Sequence, residues 1–95
     1  MENNELHKLL IKYGALDNKY RLKAILLIYR NPGISFNELA RKIGIQRGLL
    51  AYHLGVLKAA NLININPQRE GRKLSHYYLT EEGEKLLRQI LNNIK

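Results

Sequence analysis

Apolar and polar residues alternate with a helical period over most of this 95-residue chain and with a period of two over one short region. Residues 4–13, NELHKLLIKY, place Leu6, Leu9, Leu10 and Tyr13 on one side of a short amphipathic helix, which Gly14 is expected to end. Asp17 reads as the N-cap of a longer helix through Tyr29, with Leu22, Ile25, Leu26 and Tyr29 facing the core, and the segment Arg30 to Gly33 stops it with turn chemistry. Ser35 followed three residues later by Glu38 is a capping box and starts a third helix. Leu39, Ala40 and Ile43 form its apolar side, Arg41 and Lys42 its wet side, and Gly44 supplies the left-handed residue that ends it. Phe36, just inside this helix, reads as core.

After a turn from Gly44 to Gln46, a fourth helix is expected from Arg47 to Ala60, burying Leu50, Leu54 and Leu57. The period then changes. LININ (62–66) and LSHYYL (74–79) alternate, and PQREGRK (67–73) between them carries turn residues with Arg69, Arg72 and Lys73, so a β-hairpin with a basic tip is predicted. Thr80 opens a last helix whose first turn holds Glu81, Glu82 and Glu84, where negative charge suits the helix dipole. Leu86, Leu87, Ile90, Leu91 and Ile94 make its stripe.

The fourth helix has an unusual second face. Gly48, Ala51, Gly55 and Ala59 lie together opposite the apolar stripe, and only Tyr52 stands out from them. Each glycine inside a helix costs roughly 1 kcal/mol relative to alanine. A helix that must lie deep in the DNA major groove benefits from such low relief, with Gln46, Arg47 and Tyr52 reaching base edges and phosphates. The plainer reading of the same stripe is a seam that packs on another helix.

Charge separates these readings further. Sixteen Lys and Arg stand against eight acids, for a net charge of +8. Between Ser35 and Leu79 there are seven basic and two acidic side chains, and from Arg41 to Leu79 only Glu70 is acidic. The positive field therefore coincides with the paired helices and the hairpin, as expected for a partner that is a polyanion. The absence of cysteine removes disulfides and thiolate metal sites. His7, His53 and His76 fall in three different elements without a partner at metal-ligand or nucleophile-base spacing, so neither an enzyme, a cofactor nor a metal is expected. His53 lies beside the buried stripe and is expected to be half packed, with its ring able to bond a phosphate. No apolar run approaches a membrane span and residues 1–5 are too polar to open a signal peptide, so a cytoplasmic location is expected.

The residues 50–63, LAYHLGVLKAANLI, resemble the recognition-helix signature of ArsR-like winged-helix repressors, with Ala51 in place of the usual serine and Asn61 in place of the usual glycine. Residues 15–29 resemble the helix that precedes the motif in that family, and residues 76–87 resemble the wing-to-last-helix segment of MarR-like and PadR-like regulators. The resemblance implies that the hairpin is a wing whose tip contacts the phosphate backbone or minor groove through Arg69, Arg72 and Lys73. It also implies a homodimer. A small domain gains from covering the stripes of its terminal helices, 4–13 and 80–94, through Leu6, Leu9, Leu10, Tyr13, Leu87, Ile90, Leu91 and Ile94. A monomer that folds both stripes onto its own core is the alternative. Some relatives sense metal through cysteines near the motif or through acid and histidine residues on the last helix; this chain has no cysteine and no histidine on its last helix.

The resulting expectation is one α+β, mostly α domain over residues 1–95: five helices, a helix-turn-helix at 35–60 and a two-stranded wing at 62–79. Its DNA-binding set is Gln46, Arg47, Gly48, Ala51, Tyr52, His53, Gly55, Arg69, Arg72 and Lys73. The expected function is a double-stranded-DNA-binding transcriptional repressor, the alternative being a protein-protein interaction module built on the same smooth face.

Overall fold

A computed structural model describes residues 2–67 and 75–94. Five helices, α1 (Glu2–Leu16), α2 (Lys19–Arg30), α3 (Phe36–Ile43), α4 (Arg47–Ala59) and α5 (Glu81–Asn93), surround a small sheet of β1 (Ile34–Ser35), β2 (Ile63–Pro67) and β3 (Ser75–Leu79). The core runs through all of them, with Ile25, Ile28, Leu39, Leu50, Leu57, Leu62, Ile63 and Leu87 its largest fully buried side chains.

Two predicted boundaries shift, for one reason. Gly14 does not end α1, because Ala15 and Leu16 beyond it are buried in the core and the helix continues to place them there. The following cap is therefore Asn18 rather than Asp17. The Asn18 side-chain oxygen accepts the N–H groups of Tyr20 (2.9 Å) and Arg21 (3.1 Å), satisfying two of the donors that a helix start leaves open. On α2 the buried residues are Ala24, Ile25 and Ile28; Leu26 and Tyr29 are half-buried, and Leu22 faces solvent. At α3 the Ser35 hydroxyl accepts from Glu38 N–H at 3.1 Å, and Gly44 ends the helix at φ 79° with its N–H on the Ala40 carbonyl.

The sheet has three strands rather than two. Gly33, at φ 88°, turns the chain so that its N–H donates to the Tyr77 carbonyl at 2.8 Å, and Ile34 and Ser35 then pair antiparallel with Tyr77 and His76. Burial of Ile34 anchors this short strand, giving the order β1-β3-β2. A two-residue strand is too short to show any alternation, so the pattern alone assigns no strand there.

The exit from α4 sets the hairpin and the last helix together. Asn61 takes the left-handed conformation at φ 63°; its N–H donates to the Lys58 carbonyl at 2.9 Å and that of Leu62 to the Leu57 carbonyl at 3.0 Å. These are the paired bonds of a Schellman cap, with asparagine in the position glycine usually holds. Thr80 closes the other side. Its hydroxyl donates to the Asn61 carbonyl at 2.8 Å and accepts from Gly83 N–H at 2.9 Å, while its own N–H meets the Leu62 carbonyl at 3.0 Å.

The terminal helices pack differently from expectation at one position. Leu87 is 1% exposed and belongs to the chain's own core, so it is not on a free outer face. Its neighbour Leu86 is also buried, Ile90 and Leu91 are half-buried, and Ile94 is 68% exposed. On α1, Leu6, Leu9, Leu10 and Tyr13 all face outward, Leu10 being 60% exposed. Lys12 ties α1 to the first turn of α5 through a 3.0 Å ion pair with Glu82.

Two glycines make opposite predictions for stability. A Cβ on Gly83 would run into the Leu62 carbonyl oxygen, a backbone atom held by the Thr80 N–H, whereas a Cβ on Gly55 would meet nothing within 4 Å. Gly83→Ala should lower unfolding stability by about 2 kcal/mol, through a backbone clash that cannot relax. Gly55→Ala should raise it by about 0.5–1 kcal/mol through helix propensity. Urea unfolding of the two variants against the parent measures both signs.

Candidate nucleic-acid interface

α4 is positioned by its buried side. Leu50, Leu54 and Leu57 are in the core, and His53 sits among them at 5% exposure. The opposite side is open: Arg47, Gly48, Ala51, Tyr52, Gly55, Lys58 and Ala59 are all exposed, Tyr52 at 61%. No other part of the described chain lies within 4 Å of where a Cβ would stand on Gly48 or Gly55, and neither glycine has a positive φ. Nothing among the described residues requires them to be glycine. Leu49, which the sequence pattern did not single out, is exposed beside this face, and so is Lys58.

At the start of α4, Gln46 occupies the cap position without a side-chain capping bond and is exposed. The Arg47 guanidinium lies 5.1 Å from the centroid of the Phe36 ring at the start of α3. Arg41 and Lys42 are exposed on the same motif; Arg41 is 3.6 Å from Glu38, a weak surface pair. The exposed residues of α3 and α4 thus include Arg41, Lys42, Arg47 and Lys58 as well as the two glycines.

His53 lies beside the buried stripe, as expected, but is packed more deeply than half. Its Nδ1 lies 3.1 Å from an Arg21 guanidinium nitrogen, and Arg21 Nε donates to the Ala15 carbonyl at 2.5 Å. Tyr20 and Tyr52 flank the ring at centroid distances of 5.8 Å and 5.2 Å. A guanidinium can only donate, so Nδ1 accepts and the neutral ring carries its proton on Nε2. The imidazole packs inward as a link from α4 to α2 and the end of α1. The spacing Leu50, His53, Leu54, Leu57 was the signal: i, i+3, i+4, i+7 puts His53 on the buried side. Its partner Arg21, 32 residues away, leaves no such trace.

In the hairpin, Asn64, Asn66 and Tyr78 are exposed, and His76 donates from Nδ1 to the Gly33 carbonyl at 2.8 Å. Arg69, Arg72 and Lys73 lie outside the described residues. Among the described residues no three His, Asp or Glu side chains gather closely enough to hold a metal ion, and no helix is long and apolar enough to cross a membrane.

Burial and, secondarily, the Arg21 charge lower the His53 pKa from its ordinary 6.5. The unfolded chain therefore binds the extra proton first as pH falls. The stability due to the neutral ring is fully present above 6.5 and is lost as pH drops toward the lower folded value. The urea midpoint of the parent should fall from about pH 7.5 to about pH 5.5, and His53→Gln, which keeps an acceptor but does not titrate, should flatten that fall.

Comparison with known proteins follows the same geometry. Residues 17–64 match a family described as winged helix-turn-helix DNA-binding. The fold is similar to that of HlyU from Vibrio cholerae, at a TM-score of 0.81 and 23% identity over 99% of this chain and 98% of that one. MarR is similar at a TM-score of 0.74 and 27% identity, over 93% of this chain and 66% of that one. The homodimeric winged helix-turn-helix DNA-binding domain of Mb0332 from Mycobacterium bovis is similar at a TM-score of 0.79 and 22% identity, over 97% and 84%. No curated protein matches the chain.

Proposed function

This chain belongs to the winged helix-turn-helix DNA-binding family, a family of transcription regulators rather than enzymes, and on that footing we propose that it is a sequence-specific repressor that binds duplex DNA as a homodimer. The observation that carries the proposal is the outer face of α4, where, among the described residues, no contact accounts for Gly48 and Gly55. An external surface pressed against the helix accounts for both. The major groove admits a helix whose outer side is low, and Gln46, Arg47, Ala51 and Tyr52 stand where base edges and phosphates would then be met. Arg69, Arg72 and Lys73, between β2 and β3 in the chain, are assigned to the phosphate backbone on their charge and position. His53 is not assigned a DNA contact.

A second copy is the proposed cover for the apolar surface shared by α1, α2 and α5. Leu10, Tyr13, Leu16, Leu22 and Ile90 line one groove there, with Leu6 and Ile94 exposed beyond it. Mb0332 is homodimeric on the same fold, which supports this occupant. In a two-fold dimer the two α4 helices enter successive major grooves about 34 Å apart, so the preferred site is an imperfect palindrome. Such a dimer excludes other proteins from the duplex it covers, and exclusion at a promoter is repression.

Three measurements test these assignments. Gly55→Glu puts bulk and negative charge on the outer face without touching the core, and should abolish binding to a selected duplex while the helical spectrum is kept and the unfolding midpoint stays at or above the parent's. Binding by the parent should also weaken steeply with salt, as counterion release requires. If folded Gly55→Glu binds as the parent does, α4 is not in the groove and a protein partner takes its place on that face. Leu10→Lys with Ile94→Lys, both exposed, should give folded monomers by sedimentation at micromolar concentration and weaken DNA binding by 10-fold or more, on the order expected when two linked half-sites become one. An unchanged dimer would move the interface elsewhere.

A further inference from the structure

The two helices of the motif begin side by side. Phe36 is the first residue of α3 and Arg47 the first of α4. Phe36 is the only phenylalanine in the chain and is half-buried, packed on one side against the core. Arg47 is exposed, and its guanidinium carbon lies over the ring at 5.1 Å. An arginine left to itself at a helix start samples many rotamers, and ordering it on binding costs conformational entropy. A cation over an aromatic face is attracted to it before any ligand arrives.

The kind of partner matters as much as the restraint. A carboxylate would engage the N–H donors of the guanidinium and cancel its charge, as Glu38 does in part for Arg41 on the same motif. Among the described residues no carboxylate is within 4.0 Å of Arg47. A ring face attracts the charge and leaves the donors unspent. Arg47 is thus restrained and still fully able to make a bidentate contact.

We propose that Phe36 is a positioning residue for DNA recognition: it holds the Arg47 guanidinium at the start of α4, poised to pair with a guanine edge or a phosphate of the duplex. This rests on the reading that α4 enters the major groove. Phe36 then serves both the core and the interface, and its ring cannot be exchanged for an aliphatic side chain of similar burial without loosening the arginine.

The test is a double-mutant cycle on the dimer, read by fluorescence anisotropy with a selected palindromic duplex and by selection from a random duplex pool. Phe36→Leu, with Phe36→Met as a second aliphatic replacement should leucine impair folding, should keep the helical spectrum. It should weaken binding about 3-fold per half-site and on the order of 10-fold for the two-fold site. Phe36→Tyr, which keeps the ring, should restore parent affinity. In an Arg47→Ala background the aliphatic change should cause no further loss. The base position whose preference Arg47→Ala relaxes should be partly relaxed by Phe36→Leu as well. If Phe36→Leu weakens binding equally with and without Arg47, the ring acts through helix packing and the proposal is overturned. It is also overturned if Arg47→Ala leaves affinity and base preference unchanged. Gly55→Glu in the same assay reports separately on the groove reading, so the two failures are distinguishable.

Discussion

One constraint governs the rest of this structure: the side of α4 formed by Leu50, Leu54 and Leu57 must stay in the core. Two of the three are wholly inaccessible and the third nearly so. Burying each such leucine contributes on the order of 1.5–3 kcal/mol, a large share of the stability a small domain possesses. Rotating α4 about its axis would expose them. The opposite face, with Gly48, Ala51, Tyr52 and Gly55, is consequently held outward by the same interaction that stabilises the fold. If it is the recognition surface proposed for it, this face gains its precision from the core beneath it rather than from contacts of its own.

The other elements fix α4 at its two ends. At its C-terminus the left-handed Asn61 and the hydroxyl of Thr80 join α4, the hairpin and α5 in one hydrogen-bonded junction, with Gly83 allowing α5 to approach the backbone of Leu62. Along its length, His53 and Arg21 tie it to α2 and to the carbonyl end of α1. A displacement of α1 against α2 would therefore be felt at α4 through a hydrogen bond as well as through packing. α1 also carries exposed Leu6, Leu10 and Tyr13, so the surface proposed for self-association and the surface proposed for DNA are linked through the Arg21 hydrogen bonds.

Ion pairs have little part in holding this fold. Arg41–Glu38 and Arg88–Glu84 are exposed pairs within single helices, and Lys12–Glu82 joins α1 to α5 with its carboxylate in solvent. Exposed pairs of this kind contribute little, because water and salt screen them. The excess of positive charge is greatest where acids are scarce, with seven basic and two acidic side chains between Ser35 and Leu79.

Local chemistry was legible in the sequence. The Ser35 cap, the left-handed Gly44, the buried stripe of α4 and the alternation of the hairpin strands each depend on residues within a few positions of one another, so their spacing alone predicts them. The smooth outer face of α4 follows from that stripe by helix geometry. Tertiary contact decided what spacing does not encode. Burial of Ala15 and Leu16 carried α1 past Gly14 and moved the next cap to Asn18; the edge of β3 captured Ile34 and Ser35 as a strand. Leu87 went to the chain's own core and Leu22 to its surface, although both lie at apolar positions of a helical pattern. His53 met Arg21 and Arg47 met Phe36, across turns and between helices. A periodic pattern specifies which face of an element is apolar, but the packing of one element on another determines which neighbour covers that face, and at what depth each side chain ends.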